Sequence, residues 1–141
     1  MPPLSSVLLV DDDHTTNFLN KLLLTRLGVA KQVLLAENGE QALRTLNQTC
    51  SAPPTAACPQ LILLDMNMPV LNGLGFLEAY VQMPLAHKQA IVIVMLTTSL
   101  HPVDLAKAQQ LPIAGFLNKP LTKEKVMAVL EQHFPPLPTA S

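Results

Sequence analysis

Long hydrophobic runs are missing from this sequence. The longest unbroken apolar stretch, Ala90 to Leu96, falls far short of the ~20 residues that a membrane helix needs. A soluble protein without membrane association is expected. Basic clusters are missing as well: nine Lys and Arg are scattered among ten Asp and Glu, giving a formal charge of -1. Without a basic patch to gather phosphates, direct nucleic-acid binding is excluded. The N-terminus, Met1-Pro2-Pro3-Leu4-Ser5-Ser6, lacks the basic start, apolar stretch and small-residue cleavage site of a signal peptide, which predicts a cytoplasmic location. Cysteine is scarce. Cys50 and Cys58 have a spacing that fits neither a C-x-x-C redox site nor a paired zinc half-site, so two bystander thiols are expected. None of His14, His87, His101 and His133 stands at metal-site spacing from another, which leaves them as solvated loop and helix-end residues.

What is present is an alternation of short apolar runs with helical patterns, in a chain of 141 residues that suits one domain with a sizeable core. Val7 to Val10 reads as a buried strand that stops at three aspartates. From His14 to Leu27, Phe18, Leu19, Leu22, Leu23 and Leu27 recur at helical spacing, and Gly28 follows as a C-terminal cap. Gln32 to Ala36 gives a second strand, and Asn38-Gly39 opens a helix with Ala42, Leu43 and Leu46 on one face. Gln48 to Pro59, with three prolines, reads as an irregular surface excursion.

Leu61 to Leu64 is a third strand ending at Asp65, followed by a turn and a helix with Leu74, Leu77 and Tyr80 or Val81 inward. Ala90 to Leu96, apolar throughout, suits a central parallel strand covered on both faces. A short, thinly apolar helix is expected from Pro102 to about Gln110. Gly115 to Asn118 forms a fifth strand, and Thr122 caps a last helix carrying Val126, Val129, Leu130 and Phe134. This order predicts an α/β fold: a doubly wound, five-stranded parallel sheet with right-handed crossovers and helices on both faces. A ligand site belongs at the carboxyl ends of its strands.

Four of those ends carry chemistry: Asp11 and Asp12 after the first strand, Asp65 after the third, Thr97 after the fourth and Lys119 after the fifth. An acidic triplet alone is ordinarily a surface turn, and so is a lone Lys-Pro pair. Their common placement at strand ends is what makes them a site. Three converging carboxylates would raise each other's pKa unless a cation lay between them. Oxygen ligands with room for water suit Mg2+ better than zinc or copper.

The motifs Val10-Asp11-Asp12, Asp65-Met66-Asn67-Met68-Pro69 with Gly73 beyond, Leu96-Thr97-Thr98-Ser99 and Phe116-Leu117-Asn118-Lys119-Pro120 resemble those of response-regulator receiver domains. The resemblance runs from Val7 to Phe134, leaving residues 1–6 as an extension and 135–141 as a Pro-rich tail. It implies the flavodoxin-like receiver fold, a stand-alone receiver, and a phosphoryl acceptor at Asp65. It also implies that Asp12 and the Asn67 carbonyl bind magnesium directly, with Asp11 as a water-mediated or hydrogen-bonding second acid. Thr97, Lys119 and the backbone N–H groups of Met66 and Thr98 would receive the phosphoryl oxygens. The Lys119-Pro120 bond resembles the family's cis peptide. Phe116 is either core filler or a rotating aromatic that reports phosphorylation, Asp13 faces solvent, and Met66, Met68 and Met95 are packing residues.

The implied partners are a sensor histidine kinase or a histidine phosphotransfer protein. A downstream protein would be met through the Pro102–Gln110 helix, the fifth strand and the last helix. Such a domain is not an enzyme beyond self-phosphorylation and slow self-dephosphorylation, the latter tuned by Asn67 and Ser99. Three alternatives have different consequences: a relay intermediate without conformational output, an unphosphorylated adaptor, and an aspartate-nucleophile phosphohydrolase. The hydrolase would need an acid where Asn67 stands, and the adaptor reading is disfavoured by the retained acids, threonine and lysine.

Overall fold

The computed structural model describes residues 3–50, 55–66, 68, 70–83, 91–97, 106, 109–111 and 113–134. Five strands, β1 (Val7–Val10), β2 (Val33–Ala36), β3 (Leu61–Asp65), β4 (Val92–Thr97) and β5 (Gly115–Asn118), form one sheet in the order β2-β1-β3-β4-β5. Every pairing is parallel. Helices α1 (His14–Leu27), α2 (Gly39–Thr49), α3 (Gly73–Tyr80) and α4 (Lys123–His133) flank the sheet. The helix expected from Pro102 to Gln110 lies largely outside the described residues. None of the described helices is long and apolar enough to cross a membrane.

The two faces of the sheet carry separate apolar clusters, because successive strand side chains point to opposite sides. Leu8, Val10, Ile62, Leu64, Ile93 and Met95 pack with α2 and α3. Val7, Leu9, Leu61, Leu63, Val94 and Leu96 pack beneath α1 and α4. β1 and β3 are buried at every position, as central strands covered on both faces must be. Ahead of β1, Leu4 is also buried and bridges to Ala30.

The caps explain where the helices start and stop. Asp13, Asn38, Asn72 and Thr122 each accept a backbone N–H of the first turn, satisfying a donor that the helix itself leaves unpaired. Gly28 ends α1 in the left-handed region at φ 64°, where a side chain would be strained. Asp13 is exposed, as expected, but it also has work to do: its carboxylate accepts from Thr15 N at 3.0 Å and Thr16 Oγ1 at 2.9 Å. Those bonds hold its pKa below the ordinary aspartate value.

Helix α1 corrects the expected apolar face. Phe18 and Leu19 are 62% and 54% exposed, whereas Asn17, Asn20 and Leu24 are buried. The expected face is corrected only in part: Leu23 and Leu27 do pack against the core, while Asn17 turns inward because its amide meets the carbonyls at the strand ends.

The cysteines are a second correction, since Cys50 and Cys58 are joined in a disulfide. The Cα atoms lie 4.9 Å apart because the chain folds back after α2. Thr55 donates to the Thr49 carbonyl from both its N–H and its hydroxyl, and the Cys58 N–H returns to the Thr55 carbonyl. The excursion between α2 and β3 is therefore clasped at its base, with Cys50 buried in the core. Closing so short a loop removes chain entropy from the unfolded state worth about 2–3 kcal/mol. Reduction is expected to lower stability by that amount, read as a lower midpoint in urea with and without reductant. An unchanged midpoint, with thiol titration confirming reduction, would show the clasp to be energetically idle.

Candidate functional site

The site forms where β1 and β3 end side by side. Register pairs Val10 with Leu64, so the residues that follow, Asp11 and Asp65, emerge together. One oxygen from each of Asp11, Asp12 and Asp65 lies within 4.8 Å of the others. Asp11 and Asp65 are buried and Asp12 is exposed, so the cluster opens to solvent on one side. An all-oxygen donor set with an open side fits a hard cation such as Mg2+, which keeps several waters.

Lys119, one residue beyond β5, brings the only positive charge to the cluster among the described residues. Its Nζ donates to Asp11 Oδ2 at 2.7 Å and lies 3.2 Å from Asp65 Oδ1. Burial of the ammonium works to lower its pKa, but the hydrogen bond and charge of Asp11 together with the charge of Asp65 outweigh it, and the net shift is upward. The lysine is thus held as a cation. Three carboxylates against one ammonium leave two negative charges in excess. The Lys119-Pro120 peptide is cis. The loop that carries it is tied from outside, since Lys125 Nζ donates to the carbonyls of Asn118 at 2.6 Å and Pro120 at 2.9 Å.

Thr97 is buried at the end of β4, paired with Asn118 and accepting the Lys119 N–H at 2.9 Å through its carbonyl. Phe116 is partly buried and packs against the α2–α3 side of the core, in register with Met95. Met66, Met68 and Met95 are buried, as packing residues should be. The Met66 N–H, expected as a phosphoryl donor, instead meets the Leu96 carbonyl at 3.3 Å. Asn67, Thr98 and Ser99 lie outside the described residues.

The turn from β3 into α3 runs close to the site. A Cβ on Gly73 would meet the Asp65 carbonyl oxygen at 2.8 Å, so only glycine lets α3 start there. In the same turn Val70 adopts φ 67° while 74% exposed. A β-branched side chain is strained in that region by about 1–2 kcal/mol. Replacing it by asparagine, which tolerates the conformation, is expected to raise stability by about 1 kcal/mol in chemical denaturation. A loss of stability would mean that the Val70 side chain makes a compensating contact.

Residues 7–131 match the response regulator receiver domain family. The chain belongs to that family. As a receiver domain it is a module of two-component signalling and not an ordinary enzyme. It is 36% identical over 128 residues to a probable chemotaxis protein CheY of Rhizobium etli, covering 91% of each chain. Among solved structures it resembles a two-component response regulator of Cytophaga hutchinsonii, at 28% identity and a TM-score of 0.80 over 93% of this chain and 97% of that one. The chemotaxis protein CheY4 of Vibrio cholerae is similar too, at 27% identity and a TM-score of 0.73 over 90% and 96%. The five parallel strands and their helices are the fold of these receiver domains.

Sequence reasoning missed three features of this receiver site. Asp13 is a helix cap, Phe18 and Leu19 form an exposed apolar face, and Asn17 is a buried polar residue bonded to the strand ends. The spacing of Asn17, Asn20 and Leu24 was the available signal, but the leucine-rich stripe is stronger by hydrophobicity alone. The two neighbouring acids separate by place, Asp12 in the acidic cluster and Asp13 at the cap of α1. Asp12→Ala is expected to weaken magnesium binding by roughly a hundredfold, because it removes a carboxylate from the cluster. Asp13→Ala should leave that affinity alone and lower the melting temperature slightly through loss of the cap. Calorimetric titration with magnesium and thermal melts of both variants check the pair, and equal losses of affinity would erase the distinction.

Proposed function

We propose that this receiver domain carries a two-component signal by accepting a phosphoryl group on Asp65 in the presence of magnesium. The observation that supports it most is the meeting of Asp11, Asp12 and Asp65 around one point, with the Lys119 ammonium against two of them. The signalling unit is taken as residues 7–134.

In this reading an Asp65 oxygen attacks the phosphorus of a phosphohistidine, the N–P bond breaks, and the histidine nitrogen leaves with the bonding pair. Asp12, Asp65 and the Asn67 carbonyl would hold Mg2+, with Asp11 through water, and the ion would supply charge neutralisation for the phosphoryl oxygens. Lys119 exchanges its contact with Asp65 for a phosphoryl oxygen while keeping Asp11. The Thr97 hydroxyl and the Thr98 N–H donate to the remaining oxygens.

The donor, a sensor histidine kinase or a histidine phosphotransfer protein, reaches the cluster from its open side. Next to Lys119, α1 contributes exposed Leu19 to a groove of about 540 Å3 lined also by Thr16, Leu23, Pro120 and Leu121, and Phe18 beside it in the chain is exposed too. Output leaves through Thr97 and Phe116 toward the surface of β5, α4 and the 102–110 segment. Thr97 is buried at the end of β4 and Phe116 on β5 is only partly buried, which supports a route from the site through that strand. The coupling is expected to be about 1–3 kcal/mol.

Incubation with acetyl phosphate and magnesium should add one phosphoryl mass at Asp65, and a chelator added first should prevent it. A chain that takes no label from acetyl phosphate or from a phosphorylated histidine donor would overturn the reading.

A further inference from the structure

We infer that Asn17 is a positioning residue for the acidic cluster: its carboxamide ties α1 to the ends of β1 and β2, and so fixes the backbone from which Asp11 and Asp12 project. The inference rests on the reading that these carboxylates hold magnesium for transfer to Asp65.

Asn17 lies in the second turn of α1 and is 3% exposed. An amide buried so deeply is costly unless it is hydrogen-bonded. Its Nδ2 donates to the Asp11 carbonyl at 2.8 Å and to the Ala36 carbonyl at 3.2 Å. The Ala36 oxygen also accepts the Asp11 N–H at 3.0 Å. A single nitrogen therefore closes a junction between the last residue of β2, the first residue beyond β1 and the helix that follows. The orientation of the amide is fixed, because exchanging its nitrogen and oxygen would set Oδ1 against two carbonyl oxygens.

The other end of the amide is the informative part. Asn17 Oδ1 is buried without a hydrogen-bond partner among the described residues. Leucine has the same branched four-atom skeleton and no polar atom of its own to bury, so the contribution of asparagine lies in the two bonds it donates. Those bonds hold Asp11 at both its N–H side, through Ala36, and its carbonyl. From that fixed backbone the Asp11 carboxylate accepts Lys119 Nζ on Oδ2 at 2.7 Å and the Asp13 N–H on Oδ1 at 2.9 Å. Asp12 lies between two residues so held. Groups that orient metal ligands in this indirect way typically matter by about 10–100-fold in affinity.

The test compares Asn17→Leu, which keeps the branched shape and removes the donors, with Asn17→Gln, which keeps the amide. Leu24→Ala is the control, a deletion at a fully buried residue two turns along the same helix. Two quantities are read: magnesium affinity by calorimetry, and amide exchange at Asp11, Asp12 and Asp13 in the metal-free protein. Asn17→Leu should weaken magnesium binding about tenfold and speed exchange at those amides, with Asn17→Gln recovering most of both. Leu24→Ala should melt at least as early yet keep the parent affinity. Parental affinity and exchange in Asn17→Leu, or an equal loss in Leu24→Ala, would overturn the assignment. If Asn17→Leu does not fold, Asn17→Ser is judged by the same two readings. A parent chain that binds no magnesium would sink the phosphoacceptor reading and this inference together. A parent that binds magnesium and is labelled, beside an indifferent Asn17→Leu, would sink the inference alone.

Discussion

Asp65→Asn is expected to abolish labelling by acetyl phosphate altogether, without loss of the fold. The amide has no nucleophilic carboxylate oxygen, and no other carboxylate in the cluster sits at the end of β3 facing the same turn. Structure gives the reason to expect a folded variant. The cluster carries two negative charges in excess, and Lys119 keeps its 2.7 Å bond to Asp11 when Asp65 is neutralised. Removing one carboxylate relieves repulsion between like charges, so the melting temperature should hold or rise slightly. Loss of label with an intact melting transition is the supporting result, measured by intact-protein mass and circular dichroism. A variant labelled as fully as its parent would move the acceptor elsewhere and remove the central claim.

Lys119→Met is expected to have opposite effects on stability and on magnesium binding. Its ammonium is the partner of two carboxylates that are themselves buried, and the lysine side chain is only 19% exposed. Breaking a buried pair from one side leaves uncompensated charge, at a cost of about 3–5 kcal/mol, moderated here by the open face at Asp12. The metal-free variant should therefore unfold at markedly lower urea concentration near neutral pH. Magnesium then competes with no ammonium for Asp11 and Asp65, so its affinity should rise about tenfold and recover much of the lost stability.

The pH dependence of the parent protein follows from the raised lysine pKa. Its contribution is fully present below the ordinary lysine value and is lost as pH rises through the folded one. The variant should lack that alkaline loss. If Lys119→Met matches the parent in metal-free stability and in magnesium affinity, the ion pairs do not control the cluster.

Much of this was legible in the sequence because it depends on short-range chemistry. The strands Val7–Val10 and Gly115–Asn118 and the helix His14–Leu27 begin and end where apolar runs, caps and glycine put them. The acids and Lys119 could be assigned to one crevice because a doubly wound parallel sheet gathers its strand ends on one side. Composition and periodicity report that much, since each residue's preference acts on its own few neighbours.

The remaining features depend on partners distant along the chain. Two stripes of α1 both had helical spacing, and Asn17 was brought inward by the carbonyls of Asp11 and Ala36 at the ends of β1 and β2, which hydrophobicity does not register. Cys50 and Cys58 had a spacing that signalled nothing, and became bonded because the chain after α2 turns back toward β3. Residue order alone dictates which groups this receiver domain brings to its site. The folded chain determined which of them are held, by what and from which side, because hydrogen bonds and ion pairs depend on distances that exist only once the sheet has closed.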